Sequence, residues 1–173
     1  MRFKSLAVLG LMLAPLSVPW AADAPDWQNY DYPDAGFAVH FPATPTVRHG
    51  VYTTAAGVSA PATIYSVRQD DIVYTVTTAD FSQVAVEPDK AISDAVKAFG
   101  DSGEIKLDVE ARINRQYGHE LSVGGKDGSR STVAIFFFNH RLYQLDGKAL
   151  PPNPDSRSSK LIRFQQSLQF PVN

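Results

Sequence analysis

From Gly36 onward the chain alternates: Phe37, Val39 and Phe41 fall on one side of an extended segment, Ala38 and His40 on the other. That period of two marks a strand with one buried face. Pro42 and Pro45 end it, because proline fixes φ and removes a ladder donor. Thr46 to Thr53 predicts a second strand, and Ala55 to Pro61, rich in Ala, Gly and Ser, a loop. Thr63 to Arg68 and Ile72 to Asp80 predict a hairpin turning at Gln69-Asp70-Asp71, with Tyr65, Val67, Tyr74 and Val76 as its β-favouring members. Ahead of these strands, Asp26 to Asp34 carries Trp27, Tyr30 and Tyr32 without a clear period and predicts a lead-in across the domain surface.

The period then changes. Pro88 suits the first helical position and Asp89 favours a helix N-terminus. Ala91, Ile92, Ala95, Val96 and Phe99 make one apolar stripe, closed by Gly100, so one helix face packs on a sheet. Alternation returns in Ile105–Ile113, His119–Val123, Ser131–Phe138 and Arg141–Leu145, with turns at Gly124–Gly128 and Asn139-His140. This second block reads as another antiparallel layer. After Pro151-Pro152, Asn153 can cap and Pro154 with Asp155 opens a final helix. Leu161, Phe164 and Leu168 lie on one side of it, while Arg157, Lys160 and Arg163 form a basic row. Strands, helix, strands, helix predict an α+β fold with a mainly antiparallel sheet flanked by helices.

The first residues carry a different signal. Arg2 and Lys4 precede an uncharged run from Leu6 to Val18, and Ala21, Ala22 and Ala24 supply the small residues a signal peptidase needs. The run is too short for a hydrocarbon core about 30 Å thick, which takes roughly 20 apolar residues. Residues 1–24 therefore read as a signal peptide cut somewhere in 21–24, and residues 25–173 as a single globular domain of an exported, periplasmic or secreted protein. A lipid anchor would need a cysteine after the run, and the chain has none, so no membrane anchor is expected.

The lack of cysteine also excludes disulfides, a thiolate nucleophile, cysteine-bound zinc and iron–sulfur clusters. Stability must come from the core, and roughly 150 residues suffice to bury about two thirds of the unfolded surface. Loss of Arg2 and Lys4 leaves 14 basic residues against 17 or 18 acidic ones, a mature charge of −3 or −4. That balance argues against nucleic acid or an anionic membrane surface as the main partner.

Four segments carry a family resemblance. Gly36-Phe37-Ala38-Val39-His40-Phe41-Pro42, followed by Pro45, resembles the opening strand of small exported bacterial domains built on the PsbP fold. Tyr117-Gly118-His119-Glu120-Leu121 before Asp127-Gly128 resembles that group's middle strand, and Asn139 to Leu145 its late hairpin. Arg163 to Phe170 resembles its ending, a helix running into a short terminal strand. The resemblance implies an α/β/α sandwich around an antiparallel sheet and, for function, an accessory or binding role; it implies no reaction.

Candidate chemistry is sparse. His40, His49, His119 and His140 lack the spacing zinc sites use, so no metal and no cofactor is expected. His119 and Glu120 are adjacent on a strand and point to opposite faces. Gly124-Gly125-Lys126 is followed by Asp127 and lacks the earlier glycine of a P-loop, so it reads as a hairpin turn. Asp70, Asp71 and Asp80 are the acids a carboxylate pair would draw on, and no serine lies in G-x-S-x-G. Phe136-Phe137-Phe138 must place rings on both sheet faces, which predicts that both are covered. The row Arg157, Lys160, Arg163 is the most site-like charge feature and the candidate contact for an acidic partner or anionic ligand. The chain thus reads as a non-enzymatic accessory or binding protein, monomeric, with a protein or small-molecule partner. The alternative is a hydrolase or other enzyme built on scattered His and acidic residues, which convergence of His119 or His40 with two acids in one pocket would favour.

Overall fold

Alternation governs the computed structural model, which describes residues 27–171; the predicted signal segment lies outside them. Nine strands and two helices follow in the order β1 Gln28–Tyr32, β2 Phe37–Phe41, β3 Thr46–Thr53, β4 Ser59–Gln69, β5 Ile72–Asp80, α1 Pro88–Ser102, β6 Gly103–Ile113, β7 Gln116–Gly125, β8 Arg130–Phe138, β9 Arg141–Ala149 and α2 Ser158–Gln165. A 3₁₀ turn, Pro154–Arg157, leads into α2. The fold is α+β and mainly antiparallel, and among the described residues no helix is long and apolar enough to cross a membrane.

Strands β3 to β9 form one seven-stranded antiparallel sheet in the order β3-β4-β5-β9-β8-β7-β6. The second block is therefore not a separate layer. Strands β5 and β9 pair from Ile72↔Ala149 to Asp80↔Arg141, which satisfies two backbone edges that would otherwise be left open. Several boundaries also differ from the sequence reading: β6 begins at Gly103, β7 runs Gln116–Gly125 rather than His119–Val123, and α2 spans Ser158–Gln165, short of Leu168. β4 begins at Ser59 rather than Thr63, its small residues Ala60 and Ala62 being buried. α1 continues past Gly100 to Ser102. β9 continues past Leu145 to Ala149.

Each sheet face has its own core. On one, α1 lays Ala91, Ile92 and Ala95 over Leu121, Val123, Val133, Ile135 and Leu142. On the other, α2 brings Leu161 and Phe164, joined by Leu168 and Phe170, against Tyr74, Val76, Phe136, Tyr143 and Leu145. Phe136 and Phe138 belong to this second face and Phe137 to the first, so both are covered. Gly118 lets β7 and β8 approach: a Cβ there would lie 2.2 Å from the Ile135 carbonyl oxygen.

The lead-in is not an irregular surface segment. Tyr30 and Tyr32 belong to β1, which pairs with β2 from Gln28↔Phe41 to Tyr32↔Phe37. Tyr32 stacks on Phe37 and Tyr30 meets Phe41 edge-on. The buried side of β2, Phe37, Val39 and Phe41, then lands on the α2-side core, and Ala38 bridges to Gln169 in the C-terminal tail. The layers are thus α1, the sheet, and an outer layer of α2 with the β1–β2 hairpin.

Candidate functional site

A cleft of about 590 Å³ lies on the α2 side, between the β1–β2 turn and strands β3 to β5. Its position follows from two anchors on β9. Arg141 Nη1 donates to the Asp34 carbonyl at 2.8 Å, and the Tyr143 hydroxyl to the Ala35 carbonyl at 2.8 Å. Gly36 closes the turn with φ +76°, a conformation glycine adopts without strain. The turn is thereby tied to β9 as one wall; His49, Gly50, Pro61 and Thr63 form the other, with Tyr65, Thr78 and Asp80 between.

The guanidinium of Arg141 also donates through Nε and Nη2 to Asp80 Oδ2 at 3.1 and 3.0 Å. Burial alone would push the Asp80 carboxyl up, but hydrogen bonds from Ser82 and Arg141 hold it below its ordinary value. Burial likewise opposes the charge on Arg141, and its bonds to Asp80 outweigh it. The phenol of Tyr32 is pushed up to about 12 by burial, with Tyr65 and Tyr30 adding to the effect, so it stays a neutral hydroxyl. Asp31 and Asp34 line the same cleft and make no salt bridge among the described residues. Carboxylates accept and hydroxyls both accept and donate, so the cleft offers acceptors to a ligand rich in donors. Sequence reading passed over Arg141 and Asp80 as a pair because they lie 61 residues apart and meet only through the β5–β9 register.

The basic row is distributed over separate contacts. Arg157 Nη2 lies 3.6 Å from Asp71 Oδ2 and Lys160 Nζ 3.6 Å from Asp70 Oδ2. Arg163 sits over the Trp27 ring, 4.8 Å from its centre. The β4–β5 turn, where Asp70 takes φ 54°, therefore faces the start of α2 and answers two of the three charges. Asp70 and Asp71 do not pair with Asp80.

The histidines are scattered. His140 occupies the exposed β8–β9 turn with φ 60°, His49 Nδ1 is 3.2 Å from Thr63 Oγ1, and the backbone N–H of His40 donates to Ser167 Oγ at 3.1 Å. His119 is the exception: its Nδ1 lies 2.6 Å from Asp108 Oδ1. Both line a cleft of about 380 Å³ beneath α1 together with Asp89 and Glu110. Ser93, in the same cleft, donates its hydroxyl to the Lys90 carbonyl at 3.0 Å rather than to the imidazole. Glu120 lines a groove on the opposite face with Leu107 and Ile162, as alternation along β7 requires. Of Gly124–Gly128, Gly124 and Gly125 end β7 and the turn begins at Lys126: Gly125 N donates to the Ser129 carbonyl at 2.9 Å, and Gly128 has φ 80°.

No family model and no curated protein matches the chain. Among solved structures it is similar to the solution structure of cyanobacterial PsbP (CyanoP) from Synechocystis sp. PCC 6803, at 13% identity and a TM-score of 0.56, over 91% of this chain and 100% of that one. The chain has a PsbP-like fold.

Proposed function

We propose that the protein is an exported, non-enzymatic accessory or binding protein whose cleft beside Arg141 takes a small ligand rich in hydrogen-bond donors, polyhydroxylated or polycationic. One observation carries the reading: a preformed cleft of about 590 Å³ whose lining includes the exposed acids Asp31 and Asp34, which make no salt bridge among the described residues. The Arg141 and Tyr143 bonds fix the turn that forms one wall, which limits the ordering that opposes binding. The short apolar run after Arg2 and Lys4 supports export, and intact-mass measurement of periplasmic material reads the cut directly.

Amide chemical-shift titration of the mature chain tests the site, with glucose, galactose and maltose in one arm and putrescine and spermidine in the other. Saturable shifts in residues 31–35, 49–50 and 61–65, weakened at least tenfold by Asp31→Asn with Asp34→Asn, support it; the responding arm identifies the donor type. Absence of saturable shifts there in both arms overturns it.

A second reading, a hydrolase, rests on the His119–Asp108 pair. With Asp108 holding Nδ1–H, Nε2 is left to accept a proton from water, and Asp89 and Glu110 share the cleft. Turnover of p-nitrophenyl acetate or phosphate that disappears in His119→Asn would favour it over the binding reading.

A further inference from the structure

On the sheet face covered by α1, opposite the Arg141 cleft, β9 places Asp146 and Lys148 side by side. Ser131 stands across from Lys148 on β8. The last turns of α1, with Phe99 and Ser102, and the end of β7, with Val123, lean over this patch, and the β7–β8 turn closes it. The enclosed cleft is about 450 Å³, toward the small end of the roughly 300–1,000 Å³ typical of small-molecule sites.

Its charges are unevenly matched. Lys148 Nζ donates to Asp127 Oδ2 at 3.0 Å, and Asp127 Oδ1 accepts from the Ser129 backbone N–H at 3.0 Å and from the Ser129 hydroxyl. That pair is closed on itself. Lys126 donates to the Asp101 backbone carbonyl at 2.9 Å, which takes a hydrogen bond but no charge, and it makes no salt bridge among the described residues. Asp146 lies deeper, and its Oδ1 is sealed from solvent without a hydrogen-bond partner. Burial pushes its carboxyl up to about 6, against the opposing pull of Ser131 and Lys148. Ionised in that position, the carboxyl has Ser131 beside it but leaves Oδ1 without a donor, and the rim ammonium of Lys126 makes no salt bridge among the described residues.

A simple cation would meet Lys126 and Lys148 on its way in, and a simple anion would end against Asp146. A molecule with an ammonium at one end and a carboxylate at the other answers both. We infer that this cleft binds a small zwitterion, an amino acid or short amino carboxylate, with its ammonium on Asp146 and its carboxylate toward Lys126. Asp146 is among the residues that line the cleft, so the ammonium meets its carboxyl on the side open to the cleft. Phe99 and Val123 supply an apolar wall for the methylene chain. The inference is independent of the Arg141 cleft, which lies on the other face.

The test is calorimetric and amide-shift titration of the mature chain with glycine, β-alanine and γ-aminobutyrate, each beside its N-acetyl and carboxamide derivative. Saturable binding of at least one zwitterion is expected, with shifts at Phe99, Val123, residues 125–131 and 146–148. Each blocked derivative, Asp146→Asn and Lys126→Gln should bind at least tenfold more weakly. Affinity should fall below about pH 6, as Asp146 takes up a proton beside Lys148, Lys126 and Asp127. Both variants are checked for a native amide spectrum, and Lys126, on an exposed turn, is free to change without unfolding the chain. No saturable binding by any zwitterion overturns the inference, as does binding that survives Asp146→Asn or that the carboxamide matches.

Discussion

Replacing Asp146 by asparagine should stabilise the protein at neutral pH and not in acid. Its carboxyl titrates at about 6 in the folded chain against an ordinary value of 3.8, a difference of about 2 units. At 1.36 kcal/mol per unit, the ionised form carries a penalty of about 3 kcal/mol. Because the folded pKa is raised, the native state holds more protons than the unfolded chain between pH 3.8 and 6. Stability therefore declines as pH rises through that window, and the penalty is complete above it. Asparagine keeps the shape and removes the charge, while Lys148 retains Asp127 at 3.0 Å. The expected gain is near zero at pH 4 and up to about 3 kcal/mol at pH 7.5, the latter roughly 6–12 °C in melting temperature for a domain of this size. Urea unfolding of both proteins at the two pH values, with equal m-values, measures it. A difference independent of pH, or a variant less stable at pH 7.5, would refute the reasoning.

Phe41, fully buried between Tyr30 and Phe164, should cost about 3–5 kcal/mol on truncation to alanine, read as a shift in the urea midpoint; an unchanged midpoint would mean the hairpin does not dock as described. Tyr74 is buried and its hydroxyl has no partner, so Tyr74→Phe should raise stability by about 1 kcal/mol, and thermal unfolding should show a gain rather than a loss. Arg141→Gln removes the ion pair with Asp80, whose side chains are 27% and 34% exposed; after solvent screening the expected cost is about 1–2 kcal/mol. Because the Asp80 pKa is lowered, that contribution is present above its ordinary 3.8 and lost in acid, so wild type and variant should converge as pH falls below that value. Arg157→Glu and Lys160→Glu set like charges against Asp71 and Asp70 across 3.6 Å contacts; each should cost less than about 1 kcal/mol, which leaves the double variant folded and usable in partner-binding assays.

The strands were legible wherever one face was buried and the other wet. β2 and β5 have the limits that alternation predicts, since each change of side changes the solvent a residue meets; β3 has its predicted limits too, although it is exposed along nearly its whole length. What alternation cannot express is which strand lies beside which. The β5–β9 pairing joins residues 61 to 77 positions apart, and no local pattern distinguishes one continuous sheet from two. β1 was missed because only Tyr30 and Tyr32 mark its half-buried side, too short a run to show a period. The β4 start was hidden by Ala60 and Ala62, small residues that resemble a loop in composition yet are buried by packing. The same effect concealed Asp146. Ending β9 at Leu145 put this acid in a turn, where aspartate is common; within a strand it is disfavoured, and that conflict between residue and position was the available signal.

Those misses share a cause that also bears on function. Positions that pack the two cores are constrained by volume, which is why a backbone can be held in common with CyanoP at 13% identity. Several positions facing the clefts are constrained by packing far less: Asp31, Asp34, Arg141 and Lys126 lie on turns or towards strand ends, whereas Asp146 is buried within β9. Their chemistry can differ from one chain of this fold to another without moving the sheet, so a fold-level likeness transmits the clefts and not their contents. In this chain the contents are two acids without a salt bridge on one face, and on the other a buried carboxyl with one oxygen unpartnered and a rim ammonium without a salt bridge among the described residues. A wholly structural origin for that arrangement would require Asp146 to help hold the fold. The raised pKa has the opposite sign, because an ionised carboxylate in that position weakens the fold at neutral pH, and its place in the lining of a cleft with Lys126 at the rim is what the zwitterion titration tests.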